Sequence, residues 1–286
     1  MSQVYTGTMR VRHDELDCFG RVQPAVYLRY LAQVAVDAST AAGFDPAWYA
    51  AAGTTWIVRR STVDVLRPVT DGAPLAVRTW VEEFRRVRSL RRYEIHAGDA
   101  ERCLDAVTDW VYVDAATGRP RRAPAEMEAR LGVLPGATSG LRAPWSAPAP
   151  PATSGRASAR VRFADVDTVG HMNNAAYVDV AEQALLDVLA ARGWPLARLR
   201  TAGAVPLLAH VDLEYLGSAV YGDEIETLTW FSSGALLVAH QYIGRRGDPR
   251  PLARATTRWH WVDPITVQTA AAPAELAAAL AELTVA

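Results

Sequence analysis

The sequence predicts an α+β protein built from two copies of one fold, each a long buried helix wrapped by an antiparallel sheet. Three observations predict it. The chain repeats itself at a constant offset, each copy holds a helix too apolar for a surface position, and a run of alternating strands follows that helix.

The repeat comes first. Asp17 is matched by Asp167, an offset of 167 − 17 = 150, and the same offset pairs Gly20 with Gly170, Tyr27 with Tyr177, Gly72 with Gly222 and Trp80 with Trp230. Near the end of each copy, Asp109-Trp110-Val111-Tyr112-Val113-Asp114 answers Arg258-Trp259-His260-Trp261-Val262-Asp263 after a one-residue slip. Such sustained register is a tandem duplication. It divides the chain into domains at 1–140 and 158–286 with a linker at 141–157. From 143 to 155 every residue except Trp145 is Ala, Pro, Ser, Thr or Gly, which gives little to pack.

Each copy opens on a short strand, over 8–15 and 157–164. A loop with Asp and Gly leads into the helix, which spans about 174–192 in the second copy. Val178, Ala181, Leu185, Leu186 and Leu189 cover more than one face there, so the helix is expected inside the molecule. Pro24, aligned with Asn174, suits a first helical position, which makes Gln23 and Asn173 the N-caps. Strands are expected over 205–215, 225–231, 236–243 and 252–262, where β-branched and aromatic residues alternate with polar ones. Short helices are expected at 124–131 and 273–283, the latter with Leu276, Leu280 and Leu283 at helical spacing.

Composition narrows the function. Half of the 286 residues are hydrophobic and 21% are charged, as in ordinary globular proteins. A net charge of −1 supplies no field to gather nucleic acid or a membrane surface. All 30 Lys-plus-Arg positions are arginine, which reflects codon bias more than chemistry. The N-terminus has no apolar secretory segment, and no stretch nears the ~18 apolar residues of a membrane span. Cys18 and Cys103 have neither disulfide-scaffold nor metal spacing. A cytoplasmic protein without metal or cofactor is expected.

The segment Asp165-Val166-Asp167-Thr168-Val169-Gly170-His171-Met172-Asn173-Asn174-Ala175-Ala176-Tyr177, with Glu182 further along, resembles the helix-start motif of hotdog-fold thioesterases. Leu213-Glu214-Tyr215 resembles the matching strand of acyl-ACP thioesterases, and Asp17-Cys18-Phe19-Gly20 resembles the Asp-x-x-Gly of the 4-hydroxybenzoyl-CoA thioesterase group. The resemblance covers nearly the whole chain. It implies tandem hotdog folds in a pseudo-dimeric double hotdog, with a homodimer of double hotdogs as a further option. It also implies an acyl carrier protein or coenzyme A thioester as substrate. Two departures stand out: Val169 occupies a position that is Asn in the plant pattern, and the first copy has Arg21 for the His and Gln23-Pro24 for Asn-Asn.

On this resemblance Asp167 is the expected catalytic carboxylate, either activating water or attacking the carbonyl, beside a helix N-terminus whose N–H groups can hold an oxyanion. A turn-forming Asp is the plain alternative. His171 would orient that carboxylate or donate to the thioester oxygen. Asn173 is expected as a cap with a site role also open, and Gly170 as part of the binding loop. Glu214 is either catalytic or an exposed strand residue, and Glu182 is either paired internally or faces the site. Asp17 is a candidate second site in a copy that has become mainly structural. The run from Glu82 to Arg92 reads as a solvated hairpin whose Arg88 and Arg91 would meet an acidic carrier or the phosphates of coenzyme A. Besides a thioester hydrolase, two readings stay open: a hydroxyacyl-thioester dehydratase and a non-hydrolytic acyl-thioester binder.

Overall fold

The computed structural model describes residues 4–98, 101–136, 143–234 and 236–285. The chain divides into two compact units, Met1–Pro144 and Trp145–Ala286.

The first unit runs β1 (Tyr5–Arg10), α1 (Pro24–Ala41), α2 (Pro46–Ala52), β2 (Thr54–Val65), β3 (Pro74–Arg85), β4 (Arg88–Ala97), β5 (Glu101–Asp114) and α3 (Ala125–Leu131). Its strands lie in the order β1-β3-β4-β5-β2, all antiparallel. The second unit repeats the plan with β6 (Gly155–Arg160), α4 (Ala176–Ala191), α5 (Leu196–Thr201), β7 (Val205–Tyr215), β8 (Glu224–Ser232), β9 (Leu237–Arg245), β10 (Pro251–Val262), α6 (Ala274–Leu280) and β11 (Thr284–Val285). Here the order is β6-β8-β9-β10-β7, and β11 lies parallel to β8 beyond the end of β6.

Each long helix fills the face of its own sheet. α4 buries Tyr177, Val178, Ala181, Leu185, Val188 and Leu189 among others, while Leu186 is only half-buried. The approach of strand to helix is close: a Cβ at Gly155 would lie 2.6 Å from a Val188 methyl, and one at Gly7 would lie 3.0 Å from Val34. Glycine thus lets the backbone of each first strand pass against the helix.

Several boundaries differ from the sequence reading for local reasons. The first strands end early, at Arg10 and Arg160, because single 3-10 turns follow at His13–Glu15 and Phe163–Asp165. Glu15 and Asp165 accept from the Arg12 and Arg162 main-chain N–H groups at 2.8 Å and close those turns. α4 begins at Ala176 because Asn173 holds a preceding turn, its Oδ1 accepting from Ala175 N at 2.9 Å. Gln23 makes no side-chain cap; its Nε2 donates to Leu16 O instead. The short helices α2 and α5 go beyond that reading. Asp45-Pro46 marks the first, with Asp45 Oδ1 accepting from Trp48 N at 2.7 Å.

The linker also carries more structure than its composition implies. Trp145 is buried, lies 6.1 Å from the Tyr242 ring and sits under the Arg254 guanidinium at 5.0 Å. Pro148 O accepts from Trp230 Nε1 at 3.1 Å. From Trp145 onward this segment is packed on the second unit's sheet.

Candidate active site

The loop before α4 is held by its own backbone. Asp167 N donates to His171 O at 2.9 Å, and Gly170 N donates to Asp167 O at 3.0 Å. Closing so short a loop needs a left-handed residue, and Gly170 takes φ +84°. Asp167 Oδ1 accepts from Val169 N at 2.9 Å and from His171 N at 3.4 Å. The carboxylate is half-buried, and among the described residues its Oδ2 accepts no hydrogen bond. The loop thus fixes one oxygen of the carboxylate.

Residues behind the loop set its position. Met172 N donates to Ala219 O at 2.8 Å, and Ala219 N donates to the Tyr177 hydroxyl at 3.1 Å. Tyr215 donates its hydroxyl to Asn174 O at 3.0 Å, and its ring meets Tyr177 edge-on at 5.5 Å. The pair ties α4's first turn to the end of β7. Sequence reasoning missed Tyr215 as an anchor, although an aromatic at a strand end is a usable signal.

The first unit builds a matching loop whose carboxylate has a different partner. Asp17 Oδ1 accepts from Phe19 N at 2.8 Å and Arg21 N at 3.0 Å, and Gly20 takes φ +76°. Arg21, however, is buried at 3% exposure, and its Nε and Nη2 lie 3.0 Å and 2.9 Å from Asp17 Oδ2. Its guanidinium lies over Phe19 at 4.7 Å. Both oxygens of Asp17 are therefore occupied.

His171 is exposed, and among the described residues only its main chain reaches Asp167. The N–H groups expected to be free at the helix start are mostly used. Ala175 N and Ala176 N donate to Asn173, and Val178 N donates to Ala175 O. Glu182 is half-buried on α4.

Three expected positions need correction. Glu214 is not exposed: at 5% exposure its Oε2 accepts from Arg254 Nη2 at 2.6 Å and Nε at 2.8 Å, because β10 places Arg254 directly across the ladder. The hairpin of β3 and β4 is not a free cationic surface. Arg92 donates to Glu82, Arg85 pairs with Glu83, and Arg88 donates to the fully buried Asp109 at 3.1 Å. Arg91 points inward and is 7% exposed, because strand alternation puts it on the same face as Tyr93 and Ile95. Cys18 is exposed, whereas Cys103 is buried and donates to Ile95 O. Burial pushes the Cys103 thiol up to about 11. Among the described residues no group of His, Cys, Asp and Glu could hold a metal, and no helix is long and apolar enough to cross a membrane.

Known proteins place the fold. No curated protein matches the chain. A structure titled as a putative oleoyl thioesterase from Lactobacillus plantarum superposes with a TM-score of 0.77 at 20% identity, covering 91% of this chain and 96% of the other. The 12:0-ACP thioesterase from Umbellularia californica gives 0.74 at 18% identity, covering 91% and 94%. An acyl-ACP thioesterase from Bacteroides thetaiotaomicron gives 0.69 at 17%, covering 91% and 100%. At such identities the likeness shows the fold: two hotdog units, each a helix in an antiparallel sheet. Residues 2–131 match the acyl-ACP thioesterase N-terminal domain, and residues 161–280 match the thioesterase-like superfamily. The first half of the chain thus matches an acyl-ACP thioesterase domain and the second half a thioesterase-like hotdog domain.

Proposed function

We propose that the protein is an acyl thioesterase that hydrolyses an acyl-ACP or acyl-CoA thioester to the free acid and the pantetheine thiol, using Asp167. The observation that carries this reading is the contrast between the two loops. Asp167 is held by main-chain donors through one oxygen, and among the described residues the other accepts no hydrogen bond, whereas Asp17 is closed off by Arg21. The family matches in both halves support the same class of chemistry.

Asp167 Oδ2 takes a proton from water as the water oxygen attacks the thioester carbonyl. The tetrahedral intermediate collapses with cleavage of the carbon–sulfur bond, and the proton passes to the departing thiolate. Water and thioester become acid and thiol. Direct attack by Asp167, through an anhydride that water then opens, has the same balance. With the helix-start donors mostly used, the exposed His171 imidazole is the group to donate to the carbonyl oxygen.

Thiol release from matched acyl-ACP and acyl-CoA panels tests this reading and identifies the carrier. Absence of release from every thioester supplied would leave a binding protein.

A further inference from the structure

The two Asp loops are held in place by different means, and the difference falls on a residue outside the loop. One support is common to both units. Val22 N donates to Val69 O at 2.9 Å in the first, and Met172 N donates to Ala219 O at 2.8 Å in the second. Both pairs stand at the 150-residue offset, so each unit joins its loop to the segment after β2 or β7 in the same way.

The other support is not shared. In the first unit Arg21 closes the loop from the front, with Nε and Nη2 at 3.0 Å and 2.9 Å from Asp17 Oδ2. That grip occupies the carboxylate. Among the described residues no cation holds Asp167, and the tie lies behind its loop instead. Tyr215, the last residue of β7, donates its hydroxyl to Asn174 O at 3.0 Å, two residues before α4 begins. The ring is fixed as well, meeting the buried Tyr177 edge-on at 5.5 Å. Val65 ends β2 at the matching position, and its side chain has no donor. The repeated fold therefore does not require a tyrosine at this strand end. The loop without a guanidinium on its carboxylate is the one with a hydroxyl behind it.

A short path leads from the tie to the carboxylate. Asn174 adjoins Asn173, whose N–H donates to Asp165 O at 2.8 Å, and Asp165 lies two residues before Asp167. Asp167 Oδ1 takes its direction from the N–H groups of Val169 and His171 in the same loop. Displacing a reacting group by about 1 Å can cost roughly 10²-fold in rate.

We propose that Tyr215 is the positioning residue of the Asp167 loop: its hydroxyl holds the loop from behind and keeps Asp167 aligned without a cation on the carboxylate. The proposal rests on the thioesterase reading for what Asp167 does, and on the contrast between Tyr215 and Val65 for how it is held. Tyr215 touches no reacting atom in this role and acts through the backbone at Asn174.

The test uses the full-length protein with Tyr215→Phe, which removes the hydroxyl and keeps the ring, and Tyr215→Val, the residue of the first unit. In thiol release from the best acyl thioester, Tyr215→Phe should lower kcat by about tenfold and leave KM within about twofold. Hydrogen exchange, read amide by amide, gives a second measure that needs no turnover. The Asp167 and Gly170 amides, both bonded within the loop, should exchange about tenfold faster in Tyr215→Phe. The matching Asp17 and Gly20 amides should keep their wild-type rates in the same molecule. Faster exchange in both loops together would mean a general loss of stability and overturn the proposal. So would wild-type kcat in Tyr215→Phe, and losses confined to Tyr215→Val would assign the role to the ring. Selective exposure of the Asp167 loop in a protein that releases no thiol from any thioester would sink the hydrolase and keep Tyr215's hold on the loop.

Discussion

Arg21 grips Asp17 through Nε at 3.0 Å and Nη2 at 2.9 Å, at the place in the loop where the second unit has an exposed His171 beside Asp167. Among the described residues this exchange decides which loop carboxylate keeps an oxygen without a hydrogen bond, and the first two predictions follow from it.

Asp167→Asn keeps the loop's shape and its Oδ1 acceptor while removing the basic oxygen. Turnover is expected to fall by roughly 10²–10⁴ with little change in melting temperature, measured as thiol release per enzyme. Asp17→Asn should change turnover far less. A larger loss at Asp17 would transfer the site to the first unit.

Arg21→Met leaves the half-buried Asp17 carboxylate without its cation. Removing one member of a buried pair strands the other, and the partial exposure of Asp17 moderates the effect to about 2–3 kcal/mol of stability. Urea unfolding measures it. Thioesterase activity at temperatures well below unfolding should survive, since Asp167 is untouched.

Trp145→Ala should cost about 3 kcal/mol, because a buried indole packed on Tyr242 and Arg254 leaves a cavity. Trp145→Phe should cost much less than that. Among the described residues the buried indole Nε1 has no hydrogen-bond partner, so the phenyl ring removes an unsatisfied donor along with some contact area. Equal losses in chemical denaturation would show that the segment's packing matters less than its composition.

His240 is buried between Ser232 Oγ at 2.8 Å and Thr256 Oγ1 at 3.0 Å. Burial, with Arg258 adding to it, holds its pKa below the ordinary 6.5. The unfolded chain then takes up the proton more readily than the folded one. Stability from this residue is complete above about pH 6.5 and is lost as pH falls from there toward the folded pKa. His240→Gln should flatten that part of the profile, read from urea midpoints between about pH 5 and 7.5.

Much of the architecture was legible because repetition is a strong signal: the offset that joins Asp17 to Asp167 also carries the helices and the strands. The strand at Val205–Tyr215 was read to the residue, since Leu216-Gly217 stops it. The Asp167 loop was legible through its Gly and its motif. What stayed hidden depends on pairing across strands. Nothing local in Glu214 announces Arg254, because 40 residues separate them and only the β7–β10 register joins them. Arg88 and Arg91 look alike in a basic run, yet one meets Asp109 and the other faces the helix. Alternation along β4 puts the two on opposite faces, and which face meets the helix is settled only by the sheet. The constant offset itself misleads here: it sets Arg91 against Gln241, whereas the ladders set it against Ala239.

The duplication within one chain has a genetic consequence. When one gene supplies two identical subunits, any substitution appears in both, so a change that improves one pocket must be tolerated in the other. Here Arg91 can stand where its counterpart is Ala239, and Arg21 where its counterpart is His171, each encoded once. Selection can then alter one copy of a position while its counterpart keeps the residue it had.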